Sequence, residues 1–253
     1  MSLRPLLIAL QFLTCLPLRL DPAPTPQETG RSLLWYPLVG LLLGTLLWGL
    51  QWLLADVAPP LLLAALLLAA WVAASGALHL DGLGDTADAW VGGHGERERT
   101  LAIMKDPYAG PMAVCAIALV LLLKFAALDT LLGCTACARH GELLIAPLLG
   151  RSAMPLLFAS TPYVRAQGLG APIAAHLPRQ IAFALVAAVL VAVCLGWRIG
   201  GALAVAGFLA VFALLRQSLL RRLNGTTGDT AGAMLELIET AVLLILALSR
   251  DIS

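Results

Sequence analysis

The sequence predicts an all-α, polytopic membrane bundle of about seven transmembrane helices, preceded by a short N-terminal helix that lies at the interface or re-enters. Three observations carry this. Apolar residues make up 60% of the chain and charged residues 12%, against ~45–50% and ~25% in an ordinary globular chain. Two stretches free of Asp, Glu, Lys and Arg, residues 32–55 and 57–78, are each long enough to cross a bilayer, which takes ~20 residues. The apolar runs are also continuous. An outer-membrane barrel would alternate apolar and polar residues in ~10-residue segments, whereas a continuous apolar run in lipid satisfies its backbone only as a helix. These observations exclude a water-soluble domain, a coiled coil and a disordered chain. A net charge of +1 excludes a nucleic-acid binder built on a basic surface.

Residues 1–253 are read as one integral membrane domain. Residues 1–31 form its N-terminal interfacial segment. Within it, residues 5–18 carry no charge, but this is short for a span. Arg4 precedes the run as in a signal peptide. Asp21, Pro22, Pro24 and Pro26 then stand where a small-residue cleavage site would lie, so the segment is read as retained. Spans are expected at 33–55, 58–79, 109–132, 142–160, 180–198, 200–218 and 231–249. Gly40, Gly44 and Gly49 in the first are spaced for close helix contact. With the N-terminus inside, eleven Lys and Arg fall in inner segments. Three (Arg139, Arg198 and Arg250) fall in outer ones, a clear positive-inside bias. Cys134 and Cys137, with His140 nearby, are a single CxxC. They are read as loop packing rather than a zinc knuckle, with a disulfide compatible only with an oxidising space.

That orientation puts two polar stretches on one face. The first, 80–108, is read as a cytoplasmic acidic catalytic loop. It opens with His79, Asp81, Asp85 and Asp88. Spacing of i, i+4 and i+7 sets the three carboxylates on one helical face, where each like-charged pair costs ~0.2–0.5 kcal/mol. A hard cation such as Mg²⁺ or Mn²⁺ would neutralise them and share its shell with water and phosphate. The competing reading is a solvated acidic loop or an Asp helix cap. Gly82 and Gly84 let a ligand approach the backbone. The second stretch, 219–231, carries Asp229 and leads to Glu236 and Glu239 inside the last span. Carboxylates there are costly and face a polar cavity or a partner; Arg221 or Arg222 would serve as partner.

Between the clusters, Lys105 and Asp106 sit at the lip of the third span, where Lys105 can meet a phosphate as a point charge. Arg151 lies mid-span and needs an anion. A substrate phosphate is the preferred partner and a buried carboxylate the alternative. Lys124 is read as snorkelling or pairing with Asp129. Together these groups suit Mg²⁺-assisted transfer from a diphosphate.

The run His79-x-Asp81-Gly-x-x-Asp85-x-x-Asp88, followed by Gly92-Gly93, Ile103-Met104-Lys105-Asp106 and Thr227-Gly228-Asp229, resembles the cobalamin synthase family. Phe12-Leu13-Thr14-x-Leu16-Pro17 and Gly150-Arg151 are similar too. Cys15 and Gly84 depart from the pattern without touching a chemical group. The resemblance implies a Mg²⁺-dependent transferase of a bacterial inner membrane, with its active site facing the cytoplasm. Its substrates would be adenosylcobinamide-GDP and α-ribazole or its 5′-phosphate, and its products adenosylcobalamin or its 5′-phosphate and GMP. With the residue reading above, this puts His79, Asp81, Lys105, Asp106 and Arg151 in catalysis, Asp81, Asp85 and Asp88 at the metal, and Asp229, Glu236 and Glu239 in cofactor binding. His79 and Asp81 both remain candidates for the general base. The expected surroundings are the lipid bilayer and no nucleic acid, with a homo-oligomer left open. CDP-alcohol phosphotransferases also begin an acidic motif with Asp-Gly, but follow it with Ala-Arg, where this chain has Leu83-Gly84. Membrane prenyltransferases usually lead theirs with Asn, where this chain has His79. A transporter would spread its acids along the bundle rather than gather them at one face.

Overall fold

The computed structural model describes residues 3–133, 141–165, 168 and 170–249. Cys134, Cys137, Arg139, His140 and Arg250 lie outside the described residues. Helices α1 (Arg4–Leu13) and α2 (Pro26–Ser32) form the N-terminal segment. As the prolines and short length predict, α1 does not span. It buries Ile8, Ala9 and Leu13, and Arg4 pairs with Glu28 of α2 at 3.3 Å. Thr25 and Glu28 close a capping box that starts α2.

Helix α3 (Tyr36–Leu54) crosses next, then α4 (Pro60–Ser75). The second span was expected to run on to residue 79. Instead α4 ends at Gly76, whose φ of 62° ends the helix in the left-handed region. Ala77 follows at φ 56°. Helix α5 (Leu78–Gly92) then leaves at 87° to α4. The segment 80–108 is therefore mostly helix, not loop: α5, a turn, and α6 (Arg97–Ile103).

Helix α7 (Pro111–Leu132) returns across the bundle, and α8 (Ile145–Ser160), α9 (Gly170–His176), α10 (Arg179–Leu223) and α11 (Gly228–Leu248) complete it. At ~1.5 Å per residue, the 45 residues of α10 would reach about 67 Å, twice the ~30 Å of a bilayer core. The chain breaks at Arg198, with φ 47° and ψ −117°. A side chain on Gly201 would collide with the carbonyl of Val193, a residue ~12 Å away in a straight helix. So α10 folds back into two legs, matching the two spans expected on either side of residue 199. Among the described residues, five helices are long and apolar enough to cross a membrane, or six if the bent pair α4–α5 is one span. The fold-back at Arg198 divides one of the five, α10, into two legs.

The core lies where α8 and α11 meet α3, α5 and α10. Gly40 and Gly44 of α3 serve close contact, lying against Pro147 and Leu144; Gly49 has nothing within 4 Å and does not. The loops that lead into α11 and out of α8 are laced together, with Thr226 N donating to Pro162 O at 2.8 Å and Val164 N to Thr226 O at 2.9 Å. Arg97 Nε donates to Leu223 O at 2.8 Å. These ties gather α5, α6 and the 161–165 and 224–227 loops at one end of the bundle.

Candidate functional site

Two glycines set the site. A Cβ on Gly82 of α5 would stand 2.8 Å from Asp229 O, and one on Gly232 of α11 would stand 3.3 Å from His79 Cα. Without side chains there, the two backbones press together. The crossing sets Asp81 and Asp85 beside Asp229, so both acidic clusters meet. Asp81, Asp229 and Asp88 all add like charge at Asp85, opposed by Arg165. Thr227 caps α11, accepting from Thr230 N at 3.2 Å, while Thr230 Oγ1 accepts from Thr227 N at 2.9 Å. This fixes the N-terminus of α11, with its partial positive charge, at the same place.

A cavity of about 250 Å³ opens beside this crossing. His79, Asp81, Asp229 and Arg165 line its polar side. His79 is only 2% exposed, and neither ring nitrogen has a hydrogen-bond partner. Arg165 pairs with Asp229 at 2.6 Å and donates to Met104 O at 3.2 Å.

The other predicted residues sit elsewhere. Asp88 is a helix cap. Its carboxylate accepts from Gly110 N at 2.6 Å, Met112 N at 3.1 Å and Ala113 N at 3.0 Å, at the start of α7. Three backbone donors occupy oxygens that were expected to hold a metal. Lys105 and Asp106 lie exposed in the turn between α6 and α7, where Asp106 Oδ1 accepts from Tyr108 N at 3.1 Å. Neither lines the cavity.

Glu236 and Glu239 do not line it either, and Arg221 and Arg222 are not their partners. Lys124 Nζ reaches both, at 2.7 and 2.6 Å, and Arg151 pairs with Glu239. Two cations and two carboxylates thus cancel inside the bundle, with Lys124 4.6 Å over the Trp71 ring. Arg151 was expected to prefer substrate; at 1% exposure it meets the buried carboxylate instead. The reason is Gly150, where any side chain would collide with Glu239. Lys124, read as snorkelling or pairing with Asp129, is buried at 3% and meets Glu236 and Glu239 instead. A mid-span Lys obeys the same rule as a mid-span Arg.

Among the described residues, no three of His, Cys, Asp and Glu converge closely enough to chelate an ion by themselves. Mg²⁺ commonly takes only one or two carboxylates and completes its shell with water and substrate phosphates. One or two of Asp81, Asp85 and Asp229 meet that requirement.

Sequence reasoning missed Arg165 and the aromatic lining. Arg165 belongs to no spaced motif; the pairing of the 161–165 loop with Thr226 brings it to Asp229. A profile of the family described as cobalamin-5-phosphate synthase matches residues 5–247. The chain belongs to that family. Full-length relatives agree. A protein of Pseudomonas paraeruginosa named adenosylcobinamide-GDP ribazoletransferase is 59% identical over 98% of this chain and 99% of its own. Proteins of the same name from Ectopseudomonas mendocina and Pseudomonas aeruginosa are 59% and 58% identical, covering 96% and 98% of this chain and 98% and 99% of their own. No solved structure matches. The family match spans both acidic clusters and the internal charge network.

Proposed function

We propose that the chain joins adenosylcobinamide-GDP to α-ribazole or its 5′-phosphate, releasing GMP, at the inner-membrane face turned to the cytoplasm. The observation that carries this is the 59% identity over 98% of the chain to a protein named for that transfer. The site's chemistry agrees with it. A hydroxyl of the ribazole attacks the phosphorus on the cobinamide side, and GMP departs. His79, with two unpartnered ring nitrogens at the cavity's polar side, would take the hydroxyl proton. Arg165 and the N-terminus of α11 stand ready for the diphosphate. One or two of Asp81, Asp85 and Asp229 would hold Mg²⁺. When bound, that ion neutralises phosphoryl oxygens as charge builds in the displacement. The Lys and Arg bias toward this end of the bundle supports the cytoplasmic orientation.

The test is direct. Membranes carrying the chain, given adenosylcobinamide-GDP, α-ribazole and Mg²⁺, should release GMP and form adenosylcobalamin in equal amounts. Either substrate alone should give nothing, and chelation should stop the release. Membranes that release no GMP from the pair would overturn the proposal.

A further inference from the structure

The cavity beside His79 has apolar walls that phosphoryl transfer does not require. We infer that it is a nucleoside subsite taking the benzimidazole nucleoside α-ribazole, rather than the guanosine of the other substrate; this rests on the activity proposed above. Two stacked aromatic pairs contribute to the lining. Phe12 and Tyr36 have ring centroids 6.3 Å apart, and Phe158 and Tyr163 5.7 Å apart, each pair at 20° between planes. Met154 adds further apolar surface. Flat aromatic walls suit a planar bicyclic base.

Size and polarity choose between the two nucleosides. At about 250 Å³, the cavity falls just under the ~300–1,000 Å³ of sites for drug-sized ligands. It takes one nucleoside and excludes a corrinoid nucleotide, whose phosphates must then arrive from the open, acidic side. Guanine carries donors and acceptors around its edge, and burying them against Phe12, Met154 and Phe158 leaves them unpaired at a cost. A dimethylbenzimidazole presents methyl groups and ring carbons to those walls. Its ribose hydroxyls would satisfy the buried His79, which no protein group does. The same placement directs a ribose hydroxyl toward Asp81 and Asp229, where the phosphorus must come.

The experiment compares the full-length chain with Met154→Trp and Phe158→Leu in proteoliposomes. Met154→Trp fills the cavity and should raise KM for α-ribazole by about tenfold or more, while KM for adenosylcobinamide-GDP stays within about twofold. Phe158→Leu should move the same constant in the same direction by less. Independently, purified wild-type protein in detergent should bind α-ribazole by fluorescence titration, and guanosine should not displace it. A raised KM for adenosylcobinamide-GDP with that for α-ribazole unchanged would overturn the inference, as would displacement by guanosine or no binding. Should Met154→Trp fail to fold, the wild-type titration decides. A wild type that binds α-ribazole yet releases no GMP would sink the proposed reaction and leave the subsite standing.

Discussion

Asp81 and Asp88 lie two turns apart on α5, and the spacing alone makes them equivalent. Their surroundings do not. Asp81 lines the cavity near Asp229, while Asp88 accepts three N–H groups at the start of α7. Asp81→Asn should therefore cut turnover by about 10²-fold or more and leave thermal stability in detergent unchanged. Asp88→Ala should lower stability by ~1–2 kcal/mol, as loss of a helix cap does. Equal activity losses with equal stability for both would show that Asp88 binds the metal after all. The buried network gives a second contrast. Arg151→Met leaves Glu239 with Lys124 alone and the bundle interior one charge out of balance. The expected cost is ~3–5 kcal/mol, read as a fall in melting temperature. Adding Glu239→Gln should restore most of it. A stable Arg151→Met with weakened binding of adenosylcobinamide-GDP would return Arg151 to the substrate.

At the scale of elements, the helices themselves were legible, because each apolar run has only one way to satisfy its backbone in lipid. The division of α10 near residue 199 could be read from length, since no single span is that long. The turn of α5 away from α4 could not. It rests on two successive residues of positive φ, Gly76 and Ala77, and an alanine there leaves no mark in an unbroken apolar run. The acidic clusters were legible as chemistry, but their membership depended on packing: which carboxylate caps a helix, and which loop brings Arg165. The α5–α11 crossing offers the test at this scale. A Cβ on Gly82 would stand 2.8 Å from Asp229 O, a backbone atom that cannot swing aside. Gly82→Ala should push the helices apart, costing ~1–3 kcal/mol as overpacking does, and should abolish most GMP release. Gly49→Ala meets nothing within 4 Å and should keep both activity and stability. If Gly82→Ala behaved like Gly49→Ala, close contact of the two helices would not be what assembles the site.

Across the whole molecule, the site depends on two chain segments far apart in sequence, around Gly82 and Asp229, facing the same compartment. The structure sets them together: Arg97 donates to Leu223 O, and Arg222 lies beside Gly95. Helix α7 then runs 22 residues, about 33 Å, from Pro111, beside its cap Asp88, to Leu132 at the far end. Single cysteines placed at the exposed positions 98 and 221, beside Gly95 and the 224–227 loop, should therefore react with an impermeant maleimide from one side only, and those at 59 and 133 only from the other. The background must lack the five natural cysteines. Because Lys and Arg crowd the end that holds 98 and 221, that side should be the cytoplasm. Labelling of 98 and 221 from opposite sides would contradict the fold. Labelling of both from outside would keep the fold and reverse it in the membrane. The acidic site would then face away from nucleotide substrates made in the cytoplasm, and the proposed transfer could not proceed there.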